Sequence, residues 1–114
     1  MDNCIFCNIV EGKIPSDKVY EDDKVFCFKD INPEAPIHLI IIPKKHISSI
    51  NDIKNTDEEL IGHIFFIAKK IAKELNIDEN GYRIVTNCGK DAGQTVPHVH
   101  FHLLGGRSLN WPPG

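Results

Sequence analysis

Ile5, Phe6, Ile9 and Val10 recur at helical spacing, so the chain opens on a predicted short amphipathic helix over residues 4–10, ended by Gly12 and Pro15. The pattern then changes to short runs rich in β-branched and aromatic residues. It predicts strands at 18–21 and 24–29 joined by a turn at Asp22-Asp23. Residues 30–36 contain two prolines and read as a loop. From 37 to 42 the chain is almost purely apolar, with His38 as its one polar residue. This suits a central strand covered on both faces and closed by Pro43. An irregular stretch follows to about Asn55. Thr56-Asp57-Glu58-Glu59 has the form of a capping box with Thr56 as N-cap. Behind it Leu60, Ile64, Ala68, Ile71, Ala72 and Leu75 fall on one stripe of a long helix. A turn at 78–81, a strand at 82–87, a loop at 88–95 with two glycines, and a strand at 98–104 complete the order. Residues 105–114, with three glycines and two prolines, are expected to be a tail that forms neither helix nor interior strand. Strands and helices do not alternate regularly, so the expected class is α+β, an antiparallel sheet with one short and one long helix to one side.

The last strand carries the chemistry. In His98-Val99-His100-Phe101-His102-Leu103-Leu104, period-two alternation sends the three histidines to one face and Val99, Phe101 and Leu103 to the other. Neighbouring imidazoles are then roughly 6.6 Å apart, close enough to address one anionic group or one metal ion. His63, on the long helix with no chemical neighbour in sequence, reads as a partly exposed surface residue.

Composition narrows the choices. The 114 residues suit one domain, and 41% hydrophobic with 25% charged residues is the balance of an ordinary globular protein. A net charge of −3 provides no basic field for nucleic acid. No apolar run reaches the roughly 20 residues of a membrane span, and the start at Met1-Asp2-Asn3-Cys4 has no signal-peptide pattern, so a cytoplasmic location is expected. The four cysteines lack a secretory setting. Cys27 and Cys88 are expected to be small buried residues, whereas Cys4 and Cys7 form a C-x-x-C pair.

Neutral imidazole is both a nucleophile and a proton carrier near pH 7. One histidine of the row can attack phosphorus while its neighbours donate to the oxygens that gain charge. Gly93-Gln94-Thr95, just upstream, offers backbone N–H groups, an amide and a hydroxyl to a phosphate. Equally, three alternating histidines can ligate a catalytic metal. Cys4, Cys7 and two histidines can separately form a structural Cys2His2 zinc site. A redox role for the C-x-x-C pair would need a thioredoxin-like βαβ setting that the pattern lacks.

The row matches the signature His-x-His-x-His followed by two apolar residues, and the chain resembles the histidine triad (HIT) family throughout. The resemblance extends over Asp30-Ile31, Ala35-Pro36-Ile37-His38, Ile42-Pro43-Lys44-Lys45-His46-Ile47-Ser48, Gly81-Tyr82-Arg83, Asn87, Ala92-Gly93-Gln94-Thr95-Val96 and Gly105-Gly106-Arg107. The ending Trp111-Pro112-Pro113-Gly114 resembles the histidine triad nucleotide-binding branch in particular.

The resemblance implies a homodimer with one continuous sheet, and hydrolysis of purine nucleoside phosphoramidates through a covalent nucleotidyl-histidine on His100. It implies that His102 and Thr95 hold phosphate oxygens and that His38 and His98 support His100 and proton movement. Asn87, Gly93 and Gln94 would line the phosphate and leaving-group side, and Asp30 would bind the ribose hydroxyls. Ile5, Phe6, Ile9, Phe28 and Ile31 would wall the purine, and Trp111 would reach the partner subunit's site. No cofactor is implied for catalysis. Cys4 and Cys7 instead resemble zinc-carrying members of the wider superfamily, where His46 and His98 would complete a structural site. That gives His98 two competing roles. Two alternative functions stay open: a hydrolase or nucleotidyl transferase acting on dinucleoside polyphosphates, and a non-catalytic nucleotide- or zinc-binding interaction module.

Overall fold

The structure, a computed structural model, describes residues 3–114; Met1 and Asp2, the start of the segment read above for a signal peptide, lie outside them. Its elements are α1 (Ile5–Val10), β1 (Lys18–Glu21), β2 (Val25–Lys29), β3 (Ile37–Pro43), α2 (Glu58–Glu74), β4 (Tyr82–Val85) and β5 (Phe101–Gly105), with single 3-10 turns at Ile50–Asp52 and Asn55–Asp57. The strands form one sheet in the order β1-β2-β3-β5-β4, antiparallel throughout. This is the expected α+β class. No helix among the described residues is long and apolar enough to cross a membrane.

The two helices do not share a side of the sheet. Alternation sends Val25, Cys27, Leu39, Ile41, Val99, Phe101 and Leu103 to the face covered by Ile64, Ile67, Ala68 and Ile71 of α2. Phe26, Phe28, Ile40 and Ile42 face the other way and pack on Cys4, Phe6, Cys7 and Ile9 at α1. The uniform apolarity of β3 reflects this double cover, since neither face of that strand meets water. The sequence-based placement of both helices on one side is therefore corrected. The α1 face also receives the histidines.

Three local expectations change as well. Thr56 does not cap α2. It lies exposed in a 3-10 turn, while the buried Asp57 carboxylate accepts from the Lys54 N–H at 2.9 Å and from the Lys45 ammonium at 2.5 Å. Asp57 is thus the N-cap residue of α2 by position, but its carboxylate is turned back to Lys54 and Lys45 and makes no side-chain hydrogen bond to the helix. Gly105 belongs to the sheet interior, where it pairs with both Ile37 and Tyr82. A Cβ there would come within 2.6 Å of the Ile77 side chain, so the missing side chain is what lets the strand continue. Cys27 is fully buried, which pushes its thiol up to about 12, but Cys88 is only partly buried, in the loop after β4.

His63 is partly exposed, as expected, and it has a partner in space. It donates from Nε2 to the Asp22 carboxylate at 2.7 Å, joining α2 to the β1–β2 turn. Tyr20 Oη donates to the same oxygen, and the Lys24 and Val25 N–H groups donate to the other. Burial alone would raise the Asp22 pKa, but the donors His63, Lys24, Val25 and Tyr20 outweigh it and hold the carboxyl well below the usual range. A depressed carboxylate stabilises the fold above its unfolded pKa, near 4, and that stability is lost as pH falls through the folded value. Asp22→Asn is therefore expected to flatten the acid limb of a stability–pH curve. His63→Ala should cost about 1 kcal/mol in denaturant unfolding at neutral pH. An unchanged acid limb in Asp22→Asn would reject the clamp.

Candidate active site

His38 on β3 and His102 on β5 share the α1 face of the sheet, because His102 pairs directly with Ile40, two residues from His38. The strand predicted over 98–104 is regular only from Phe101. Ahead of it, the Val99 N–H donates to the Ile47 carbonyl at 2.6 Å, which draws residues 98–100 away from ladder pairing. The alternation of faces nevertheless persists: Val99, Phe101 and Leu103 enter the α2 core, and the three histidines face α1.

The hydrogen-bond partners assign the ring tautomers. His98 is fully buried and donates from Nε2 to the Pro43 carbonyl at 2.9 Å. Its Nδ1 lone pair then faces Cys4 Sγ at 3.3 Å and Cys7 Sγ at 3.5 Å. His100 donates from Nδ1 to the His98 carbonyl at 2.7 Å, so its Nε2 lone pair is free. Thr86 Oγ1 donates to the His100 carbonyl at 2.8 Å and fixes that backbone, while the Phe6 ring stands edge-on to the imidazole at 5.1 Å. His38 Nδ1 accepts from the Glu34 N–H at 3.0 Å, which puts its proton on Nε2, 2.9 Å from His102 Nδ1. His102 accepts there and carries its own proton on Nε2. Burial foremost, then repulsion from His100 and His38 against an opposing pull from Asp30, lowers His102 to about 4. At neutral pH it is an uncharged donor.

Two groups of side chains here have metal-ligand geometry. In the first, the ligand atoms of Cys4, Cys7, His46 and His98 all lie within 4.8 Å of one another, with His46 Nδ1 3.3 Å from Cys7 Sγ. A tetrahedral zinc ion, with nitrogen at ~2.0–2.1 Å and sulfur at ~2.3 Å, would separate such ligands by roughly 3.5 Å, which matches the contacts found. Burial first, with the adjacent Cys4, pushes the Cys7 thiol up to about 11, while burial chiefly holds His98 neutral. A divalent cation reverses the penalty on paired thiols and needs a neutral imidazole, so the donor set fits. The Pro43 carbonyl supplies the outer hydrogen bond that fixes the His98 ring. Cys4 also accepts from the Cys7 N–H as the N-cap of α1, so this group fastens that helix.

The second group, Asp30, His38 and His102, has similar spacing. There the Glu34 N–H occupies His38 Nδ1 and leaves a proton, not a lone pair, on Nε2. It is a hydrogen-bonded chain.

The HIT domain family matches residues 11–109 of the sequence. This chain belongs to the HIT family. A HIT family hydrolase from Legionella pneumophila is 52% identical and superposes with a TM-score of 0.97 over 98% of this chain and 100% of that one. A histidine triad nucleotide-binding protein from Candida albicans is 39% identical, with a TM-score of 0.83 over 96% of this chain and 83% of that one. An uncharacterised HIT-like protein of Buchnera aphidicola is 49% identical over 108 residues, 95% of each chain.

Within this HIT fold the residues singled out from sequence do not all converge. His38, His98, His100 and His102 gather with Asp30, Phe6, Cys4, Cys7 and His46. Phe6 and Ile9 of α1 and Phe28 of β2 are buried between helix and sheet, whereas Ile5 and Ile31 stand out, Ile31 at 91% exposed. The Gln94 amide is already spent: it accepts from the Gly89 N–H and donates to the Val96 carbonyl within its loop, and donates to the Ser48 carbonyl in the segment after β3. Gly93, at φ 83°, makes the turn, Thr95 is exposed beyond it, and Asn87 is partly buried just past β4. Trp111 is 80% exposed, on a tail that Arg83 holds through the Leu109 and Asn110 carbonyls. Thr86, the Pro43 carbonyl and the Glu34 N–H were missed. The last two act through backbone, which carries no residue signature, and a threonine ending a strand is unremarkable in sequence.

Proposed function

We propose that this chain hydrolyses purine nucleoside phosphoramidates by way of a nucleotidyl group on His100. The supporting observation is the tautomer of that residue. Its Nδ1–H is committed to the His98 carbonyl, and its Nε2 lone pair stands beside the neutral donor His102. Nε2 forms a bond to the α-phosphorus as the P–N bond breaks, and the departing nitrogen takes a proton from solvent and leaves as the neutral amine. The His100 Nδ1–H, donated to the His98 carbonyl, supports the positive charge of the phosphorylated imidazole and keeps it a good leaving group. Water then attacks phosphorus, gives up a proton to solvent, and the P–Nε2 bond breaks with its electron pair returning to the imidazole. His102 donates from Nε2 to a non-bridging oxygen as charge builds there, a contribution typically of about 10²–10³ in rate for a well-placed donor. Thr95 is assigned to the same oxygens; the Gly93 and Gln94 N–H groups are spent on the Lys90 and Gly89 carbonyls and shape the turn that carries it.

Asp30 is assigned to the ribose diol, since a carboxylate beside an exposed apolar side chain, Ile31, suits a sugar carrying a base. Ile5 and Phe6 are the corresponding walls on α1, with Ile9 and Phe28 behind them. Cys4, Cys7, His46 and His98 are assigned to a structural zinc ion, which would cross-link α1 to the histidine segment; His98 then acts by holding position, not by moving protons. The open edge of β4 and the exposed Phe66 are assigned to a second copy of the chain, with Trp111 extending towards the partner's site.

Initial rates on an adenosine phosphoramidate and on diadenosine polyphosphates test the reading. The phosphoramidate is expected to turn over faster, and the reverse order would overturn the assignment.

A further inference from the structure

Asp30 is placed to do more than hold a sugar. Its Oδ2 lies 3.3 Å from His38 Nε2, the atom whose single proton also faces His102 Nδ1 at 2.9 Å. The other end of His38 is closed by the Glu34 N–H, so the ring cannot supply a second donor in this direction. That proton is hydrogen-bonded to His102, and the Asp30 oxygen stands close enough to compete for it. The Asp30 side chain is mostly buried, and its Oδ1 already accepts from the Asn32 N–H at 2.8 Å, which leaves Oδ2 as the oxygen seeking a donor.

We propose that the ribose diol acts as a positioning element of the reaction: by donating to Asp30 it occupies the competing acceptor, keeps the His38 Nε2 proton on His102, and so holds the His102 tautomer that serves the phosphate. The inference rests on the phosphoramidase reading and deepens it by naming the substrate class, nucleotides with an intact vicinal diol. With the diol absent, the carboxylate competes for His38. His102 then loses the partner that keeps its proton on Nε2, and the donor to the phosphate is misdirected. A carboxylate that merely bound sugar would affect affinity and leave the chemical step alone.

The test compares an adenosine phosphoramidate with its 2′-deoxy analogue on wild type and on Asp30→Asn, with kcat and KM read separately. In wild type the deoxy analogue is expected to show a higher KM and also a kcat lower by about tenfold, the worth of one misdirected hydrogen bond. In Asp30→Asn both substrates should bind weakly and the difference in kcat should shrink to within about twofold, because the competing charge is gone. Nitrogen chemical shifts of the His102 ring give a readout independent of turnover. AMP should drive the ring to a single Nε2–H tautomer, and 2′-deoxy-AMP should not. Equal kcat values in wild type, or identical His102 shifts with the two nucleotides, would overturn the coupling while leaving the phosphoramidase reading intact. No turnover of the ribo substrate by wild type would reject that reading and the coupling with it.

Discussion

His100→Ala is expected to lower turnover of an adenosine phosphoramidate by about 10⁴-fold or more, because no other group offers a lone pair at the same place. His98 has both ring nitrogens engaged, with Pro43 and with the cysteine pair, and His102 presents a proton to the site. Neither can substitute. Binding of AMP should change little, since the base and ribose contacts assigned above lie on α1, β2 and the loop that follows it. The side chain packs against Phe6, so truncation also leaves a small void, and a melting curve is needed to show that the variant is folded. Intact-protein mass spectrometry during turnover provides the direct check: wild type should carry a nucleotidyl adduct that maps to His100, and the variant none. Full activity in the folded variant would end the mechanism.

The second large effect is on stability. Purified protein is expected to hold about one zinc ion per chain, bound by two thiolates and two imidazoles. Because the ligands come from α1, the segment after β3 and the segment before β5, the ion would tie together pieces that are remote in sequence. Chelation, or Cys7→Ser, should lower Tm by on the order of 10 °C or more, since structural zinc binding is folding free energy and each kcal/mol shifts a domain of this size by about 4 °C. Tryptic cleavage after Lys13 should accelerate in the same samples as α1 loosens. A metal content well below one per chain with an unchanged melting curve would remove Cys4, Cys7 and His46 from the site.

Much of this arrangement is readable in the chain because burial enforces it. The alternation Val99, Phe101, Leu103 must reach the α2 core, and that alone sends His98, His100 and His102 to the opposite face. β3 is recognisable because a strand covered twice can tolerate few polar residues, and its one histidine is part of the site. The sequence is silent on what depends on distant partners. The Asp57 carboxylate finds its partner in Lys45 and not in the helix it precedes, and His63 finds its partner in Asp22, 41 residues away. The division of labour among the three histidines is likewise set by which carbonyl or N–H each ring meets. Those groups are the backbone carbonyls of Pro43 and His98, which any residue would offer, and the N–H of Glu34, which any residue but proline would offer. Which face α1 takes escaped the pattern for a related reason, since a six-residue amphipathic helix can dock on either side.

The position of β5 between β3 and β4 has a consequence for how the molecule comes apart. β1, β2 and β3 are neighbours in sequence and can pair locally, whereas β3 meets β5 only after a loop of more than fifty residues has closed, a step with a large entropic cost. His38 stands on the first side of that closure, and His100 and His102 on the second. A nucleotide spanning them can bind only the closed chain, so it opposes global unfolding as a whole and not one flap of it. At a ligand concentration of 100 times Kd that linkage is worth about 2.7 kcal/mol. On the function proposed above, the nucleotide is a removable staple across the pairing that joins the most sequence-distant strands of the sheet.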